Sequence, residues 1–226
     1  MSVFMMPGLT SNTYTPSPPS PSPSSAAPAT SAQTQAPPPS PVSNPDFQGT
    51  DLTPFTAASL LPQTFTDSVY NIRYTLVASG AHPCNDTSSM SSATAQTLTS
   101  NGCTQVMTGD YVEDNSSPDS QVLVSVQIFP FASVSTAMQV KNDFPSGGAW
   151  DFGIYCPGTG PGSTTCDGDY GDARKSESEN YHHRYLVEAT AIYVDLTTSA
   201  QVLPWLNAAA QAAASASGPQ NYPGNG

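Results

Sequence analysis

The stretch CTQVMTGDYVEDNSSPDSQVLVSVQIFPFASVSTAMQVKNDF, residues 103–144, decides the fold. Residues 104–113 read as a strand marked by Val106, Gly109 and Tyr111. Residues 114–120 are polar and contain Pro118, as a longer hairpin loop should be. In residues 121–131, Val122, Val124, Val126 and Ile128 share one face, while Leu123, Ser125, Gln127 and Phe129 share the other. Period-two alternation of this kind predicts an antiparallel sheet with one face on a core. Pro130 ends the strand, and Ser133 is placed to cap a helix. Val134, Ala137, Met138 and Lys141 then form a helical stripe, the 134–138 part expected to pack on the sheet and the Lys141 stem to lie along apolar surface.

Downstream, residues 183–195 alternate again, and Thr198-Ser199-Ala200-Gln201 fits a capping box before an Ala-rich helix. Pro204 falls early in that helix, and Gly218-Pro219 ends it. This strand–helix step repeats the one in residues 121–144, so both helices are expected on a common face of one sheet. Upstream, residues 69–78 read as a half-buried strand. Before it, Thr53-Pro54 opens a helix with Phe55, Ala58, Leu61 and Phe65 on one side, ended or kinked at Pro62. The expectation is an α+β domain over residues 51–217. It contains an antiparallel sheet of four to six strands with helices packed on one face. Residues 218–226 are expected to fray.

Residues 1–50 differ in kind. They hold twelve of the 23 prolines, interleaved with Ser, Ala and Thr, and a single charged side chain, Asp46. Such a segment buries too little apolar surface to offset chain ordering, so it reads as a disordered, extended linker. Met1 is not followed by a basic segment and an apolar core as in a secretory leader, and no run approaches a bilayer span. Val3-Phe4-Met5-Met6 is compatible with the remnant of a longer apolar anchor upstream of this chain.

The cysteines point outside the cytoplasm. Cys84, Cys103, Cys156 and Cys166 are four, with two close spacings, and the expected pairs are Cys84 with Cys103 and Cys156 with Cys166. Neither pair has the short spacing of a zinc site. The formal net charge is −12 with only five Lys and Arg, which argues against a nucleic-acid partner and against direct binding of the folded domain to an anionic membrane.

Catalytic motifs are weak. The glycines in residues 145–179 lack the Lys of a phosphate cradle, and this insert reads as flexible loop. Asp167, Asp169 and Asp172 alternate around glycines, a spacing that suits a calcium ion. An EF-hand would need a glutamate where Ser178 stands, so the alternative is a solvated acidic turn. His182 and His183 are adjacent, so on a strand they point to opposite faces. Asn85-Asp86-Thr87 and Asn115-Ser116-Ser117 match the glycosylation triplet and read as surface loops.

Taken with Leu60-Leu61-Pro62, Cys103-Thr104-Gln105-Val106, Tyr111, and Arg184-Tyr185-Leu186-Val187-Glu188, the pattern over residues 53–217 resembles extracytoplasmic domains of actinobacterial, streptomycete-like membrane-anchored or secreted proteins of uncharacterised function. A more distant likeness is to the two-disulfide sensor domain of mycobacterial serine/threonine kinases. The kinase-sensor likeness implies a ligand-binding cleft; the linker, the paired cysteines, the acidic composition and the lack of a catalytic motif point to a non-enzymatic cell-envelope module, sensor-like, that binds a ligand or a partner protein. The alternatives are an extracytoplasmic hydrolase whose site is assembled from distant carboxylates or from His182 and His183, and a purely structural wall module. No cofactor is expected beyond calcium at the acidic turn.

Overall fold

The computed structural model describes residues 41–86, 90–114, 116, 120–144, 152–160, 162–167 and 170–225. The Pro-rich segment up to residue 40 and the Asn115 triplet's first and last residues lie outside them. In chain order the elements are α1 (Ala57–Leu60), β1 (Thr64–Thr66), β2 (Arg73–Pro83), α2 (Ser92–Ser100), β3 (Gln105–Glu113), β4 (Val122–Pro130), α3 (Val134–Asp143), β5 (Lys175–His182), β6 (Tyr185–Tyr193) and α4 (Leu203–Ala216). The six strands form one sheet in the order β1-β2-β3-β4-β6-β5, with every neighbouring pair antiparallel. Both disulfides pair as the spacing predicts, Cys84 with Cys103 and Cys156 with Cys166.

Both faces of the central strands are buried. On one, Tyr111, Val124, Val126, Ile128, Val187 and Ala189 pack under α4 and α1. Helix α4 reaches the strands closely because its inner side is Leu206, Ala209, Ala210 and Ala213. On the other, Val106, Phe129 and Leu186 meet Leu98 of α2 and Ala137 and Val140 of α3. The expected single helical layer is therefore two layers, α4 and α3 lying on opposite faces. The residues behind it are Leu123 and Phe129, apolar positions on the second face of β4 that also need cover. Gly109 of β3 lets α1 approach: a Cβ there would stand 2.7 Å from the Leu61 side chain.

Several boundaries move. Residues 69–72 are a turn, not strand, because Asp67 captures it: Oδ1 accepts from the Val69 and Tyr70 amides at 3.0 and 2.6 Å, and Oδ2 from Ile72 at 3.1 Å. Asn71 takes the left-handed conformation there (φ 58°). Strand β2 runs on to Pro83, five residues beyond the strand expected over 69–78. Strand β5, KSESENYH, lies in the insert read as flexible loop; its polar side chains hid it, and β6 pairs with it along its whole length. Helix α3 packs through Ala137 and Val140, leaving Met138 40 % exposed. Its Lys141 Nζ sits 5.6 Å from the centre of the Tyr181 ring.

The ends are ordered further than expected. Residues 44–51 belong to the folded unit, which begins at Pro41. The Gln48 amide donates to Ala132 O at 3.0 Å and the Val134 amide to Asp46 O at 2.9 Å. Asp51 Oδ2 accepts from Arg184 Nε at 2.6 Å and from the Tyr185 hydroxyl at 2.5 Å. Burial works against the Asp51 carboxylate, but its hydrogen bonds from Thr53, Tyr185 and Arg184 hold its pKa below the ordinary value. Residues 218–225, expected to fray, are docked instead. The Gly218 amide donates to Leu60 O at 2.7 Å, and Asn225 Nδ2 to Thr53 Oγ1 at 2.6 Å. Asn221 Nδ2 donates to the Ala216 carbonyl at 2.8 Å, covering an acceptor that the end of α4 leaves open.

Candidate functional site

The face under α2 and α3 carries polar side chains where a core would carry aliphatic ones. Strand register puts Thr108, Gln127, Glu188 and Glu179 in one row, and Asp110, Ser125, Thr190 and Glu177 in the next. Val106, Phe129 and Leu186 flank these rows at one end; Val112, Leu123 and Ile192 flank them at the other. The polar groups are not at the surface: Ser125, Gln127, Glu188 and Thr190 are 0 % exposed, and Thr108 and Asp110 are 2 % exposed.

Residues 152–158 cross over this polar band as a strap, tied by the Cys156–Cys166 bridge. Phe152 packs on Phe129, with ring centroids 5.7 Å apart, and Ile154 sits with Leu123 and Ile192. The Tyr155 amide donates to Ser125 Oγ at 3.1 Å, and its ring stacks on His82 at 4.6 Å.

Under the β5 side of the strap, the acids are held within the protein. Glu188 accepts from Thr190 Oγ1 at 2.5 Å and from Gln127 Nε2 at 3.4 Å. Burial raises its pKa well above the ordinary value, and Glu177 and Glu179 add to the rise. Burial therefore favours the protonated form of Glu188 within this hydrogen-bonded network. Lys175 Nζ bridges to Glu177 at 3.1 Å.

Under the β2 side the result differs. A cleft of about 210 Å³ opens between β2, β3 and the strap, lined by Ala78, Gly80, Thr108, Asp110, Tyr155 and Pro157 among others. Among the described residues Asp110 Oδ1 has no hydrogen-bond partner. Burial pushes the Asp110 carboxyl up to about 7, against the pull of the Ser125 hydroxyl. A buried acceptor left unmatched costs free energy, so each one in a native structure asks for a reason. Beside it, His82 Nε2 lies 2.8 Å from Thr108 Oγ1, and His82 Nδ1 lies 3.7 Å from Asp86 Oδ2. Burial lowers the His82 pKa, so the ring is neutral at pH 7. The tautomer with its proton on Nδ1 faces Asp86 and leaves Nε2 to accept from Thr108.

The residues singled out from sequence sit elsewhere. His182 lies on the α4 side of the sheet, its Nε2 3.0 Å from Ala214 O. His183 is in the β5–β6 turn, its Nδ1 2.8 Å from Asp46 Oδ1 and half exposed. The pair therefore does not converge on a cleft. Of the acidic turn, Asp169 and the Asp167 side chain lie outside the described residues, and Asp172 is exposed. Among the described residues no group of three or more His, Cys, Asp or Glu side chains is placed to hold a metal ion.

Asp110, Thr108, His82 and Tyr155 were not singled out from sequence. The signal was present for two acids: Asp110 and Glu188 stand inside strands whose neighbours are apolar on both faces. Another groove, about 420 Å³ between α4 and the turn after β1, is lined by Thr66, Ser68, Val69, Ala208, Gln211 and Ala212 among others, with no titratable side chain.

No family model, curated protein or solved structure matches this chain.

Proposed function

We propose that this chain is an extracytoplasmic, non-enzymatic binding domain, sensor-like, that takes a small ligand in the cleft over Asp110. The observation that carries this reading is a carboxylate 2 % exposed, lining a cleft, with an oxygen that no group among the described residues satisfies. Binding sites are concave and place a few polar groups to fix orientation; a ligand donor would supply the missing partner. The two disulfides support an extracytoplasmic compartment, because such bridges persist under oxidising conditions. Among the described residues no helix is long and apolar enough to cross a membrane. The likeness to anchored actinobacterial envelope domains and to kinase sensor domains agrees with this role. The acidic surface speaks against nucleic acid as a partner.

The hydrolase reading has one observation in its favour. Asp86, His82 and Thr108 follow one another in the order carboxylate, imidazole, hydroxyl. It is the weaker reading because Thr108 sits mid-strand in β3, 2 % exposed, with its Oγ engaged by His82. The test is a thermal-shift screen of the full chain against amino acids, amines, sugars and short peptides, run beside chromogenic ester, glycoside and peptide substrates. The binding reading expects a ligand that raises Tm in the native protein and not in Asp110→Asn, with no turnover. Turnover abolished by His82→Ala would replace it with the hydrolase.

A further inference from the structure

Resting on that reading of the cleft, we propose that the group it recognises is a cationic nitrogen, the ammonium or amidinium end of a small ligand, with Asp110 as its counter-ion.

The first support is an inventory of the chain's own cations. There are five Lys and Arg, and each is engaged away from Asp110. Arg73 pairs with Asp114 at 3.4 Å, Lys175 with Glu177 at 3.1 Å, and Arg184 with Asp51 at 2.6 Å. Arg174 Nε donates to Thr198 O at 2.9 Å, and Lys141 lies over the Tyr181 ring. Nothing internal neutralises Asp110. Buried charges are otherwise paired, so the missing partner is a cation from outside.

The second support is the hydrogen-bonding character of the floor. With the Thr108 proton directed to His82 Nε2, Thr108 Oγ presents lone pairs, as does Asp110 Oδ1. With Asp110 ionised and His82 protonated on Nδ1, both groups accept and neither donates into the cleft. An ammonium brings three donors and an amidinium four, with no acceptor, which matches that floor. The Tyr155 ring adds an aromatic wall suited to a cation.

The third support is size. About 210 Å³ lies below the roughly 300–1,000 Å³ of sites for whole drug-sized molecules, so the cleft suits the end of a molecule or a small amine. The net charge of −12 raises the local concentration of cations and lowers that of anions.

Binding is then coupled to protonation. The groups facing Asp110 are His82 with Asp86 from the end of β2, Ser125 from β4 and Tyr155 from the strap; Glu188 and Glu177 stand across the sheet on β6 and β5. A cation selects the ionised carboxylate, so binding at pH 7 releases about half a proton per ligand for a group titrating near 7. Affinity then falls about 30-fold from pH 8 to pH 5.5 if one group titrating near 7 is fully coupled.

The experiment is calorimetric titration of the full chain with ethylamine, ethanolamine and acetamidine, against glycerol and glucose as neutral probes, at pH 5.5 and 8 and in buffers of different ionisation enthalpy. Two variants accompany it. Asp110→Asn removes the charge, and Gly80→Val fills the wall of the cleft at a position where an added Cβ meets nothing within 4 Å. The expected result is saturable one-to-one binding of the amines, stronger at pH 8, with proton release. Both variants should weaken it at least about tenfold, the scale of one charge-assisted hydrogen bond. Glu188→Gln should keep the pH step, because Asp110 and not Glu188 lines the cleft. Binding of the neutral probes alone, blocked by Gly80→Val, would overturn the cationic assignment and leave the ligand cleft standing. Amine binding indifferent to Asp110→Asn would overturn the assignment as well. If neither class binds and no compound in the screen moves Tm, both readings fall.

Discussion

The two faces of one sheet are built from the same strands and do different work. Under α4, side chains from β3, β4 and β6 are apolar and packed against alanines. Under the strap, the alternate residues of those strands are Asp110, Ser125, Gln127, Glu188 and Thr190, equally buried and polar. Burial of the first kind stabilises by removing apolar area from water. Burial of the second kind removes hydration that hydrogen bonds must replace. On the β5 side they do replace it, through Thr190, Gln127 and Lys175. On the β2 side, over Asp110, they do not. A domain that only needed to fold would gain by filling that position with an aliphatic side chain. The contrast between the faces is what turns an ordinary sheet into a candidate site.

The contrast can be broken from either side. The largest effect is expected on the α4 face. Ile128→Ala should cost about 2–5 kcal/mol in denaturant unfolding, as buried truncations do; a loss below about 1 kcal/mol would mean that this face is not the main core.

On the strap face, removing charge should help rather than harm. The folded-state pKa of Asp110 is raised, so the folded protein binds more protons than the unfolded chain between about pH 4 and 7. Stability from this group is therefore present at low pH and declines as pH rises through that window, by up to about 4 kcal/mol. Asp110→Asn should flatten the slope and be the more stable protein at pH 8. A native protein whose stability rises with pH between 5 and 7 to the same degree as Asp110→Asn would show that Asp110 is not a raised acid.

The strap is held over the polar band by a short disulfide loop. Replacing Cys156 and Cys166 with Ser should cost up to about 3 kcal/mol by the chain-entropy model. It should also raise hydrogen exchange at the Tyr155 amide, which donates to Ser125. Unchanged exchange would mean that the strap is held by Phe152 and Ile154 alone. The smallest effect is expected at Met138, whose 40 % exposure places it outside the α3 contact. Met138→Gln should change stability by less than about 0.5 kcal/mol, whereas Val140→Ala on the same helix should be felt clearly.

Much of this architecture was legible before any coordinates. The alternation in β3, β4 and β6 is dense enough to name them, and the spacing of the cysteines names their pairing. The misread elements share a cause: local pattern was outweighed by a partner distant in sequence or by one side chain. Strand β5 is polar because it is an edge strand, and only its pairing with β6 makes it a strand. The alternation of residues 69–72 is overruled by Asp67, and the tail beyond Gly218 is held by asparagines that reach Leu60 and Thr53. At the candidate site, the two histidines are adjacent in sequence, yet His182 lies against Ala214 on the α4 side while His183 sits in the β5–β6 turn beside Asp46. His82 and Thr108 are 26 residues apart and meet across the β2–β3 register.

Composition and local alternation determined on their own an acidic, disulfide-bonded α+β domain built on antiparallel strands. Those properties reside in single residues or in neighbours two to four apart. Which acid lacks a partner, which face it is buried on and what lies over it were decided only by the tertiary structure. A carboxylate in a strand has the same local signature whether a lysine, a threonine or an empty cleft stands opposite, and here register and the strap leave Asp110 facing the cleft.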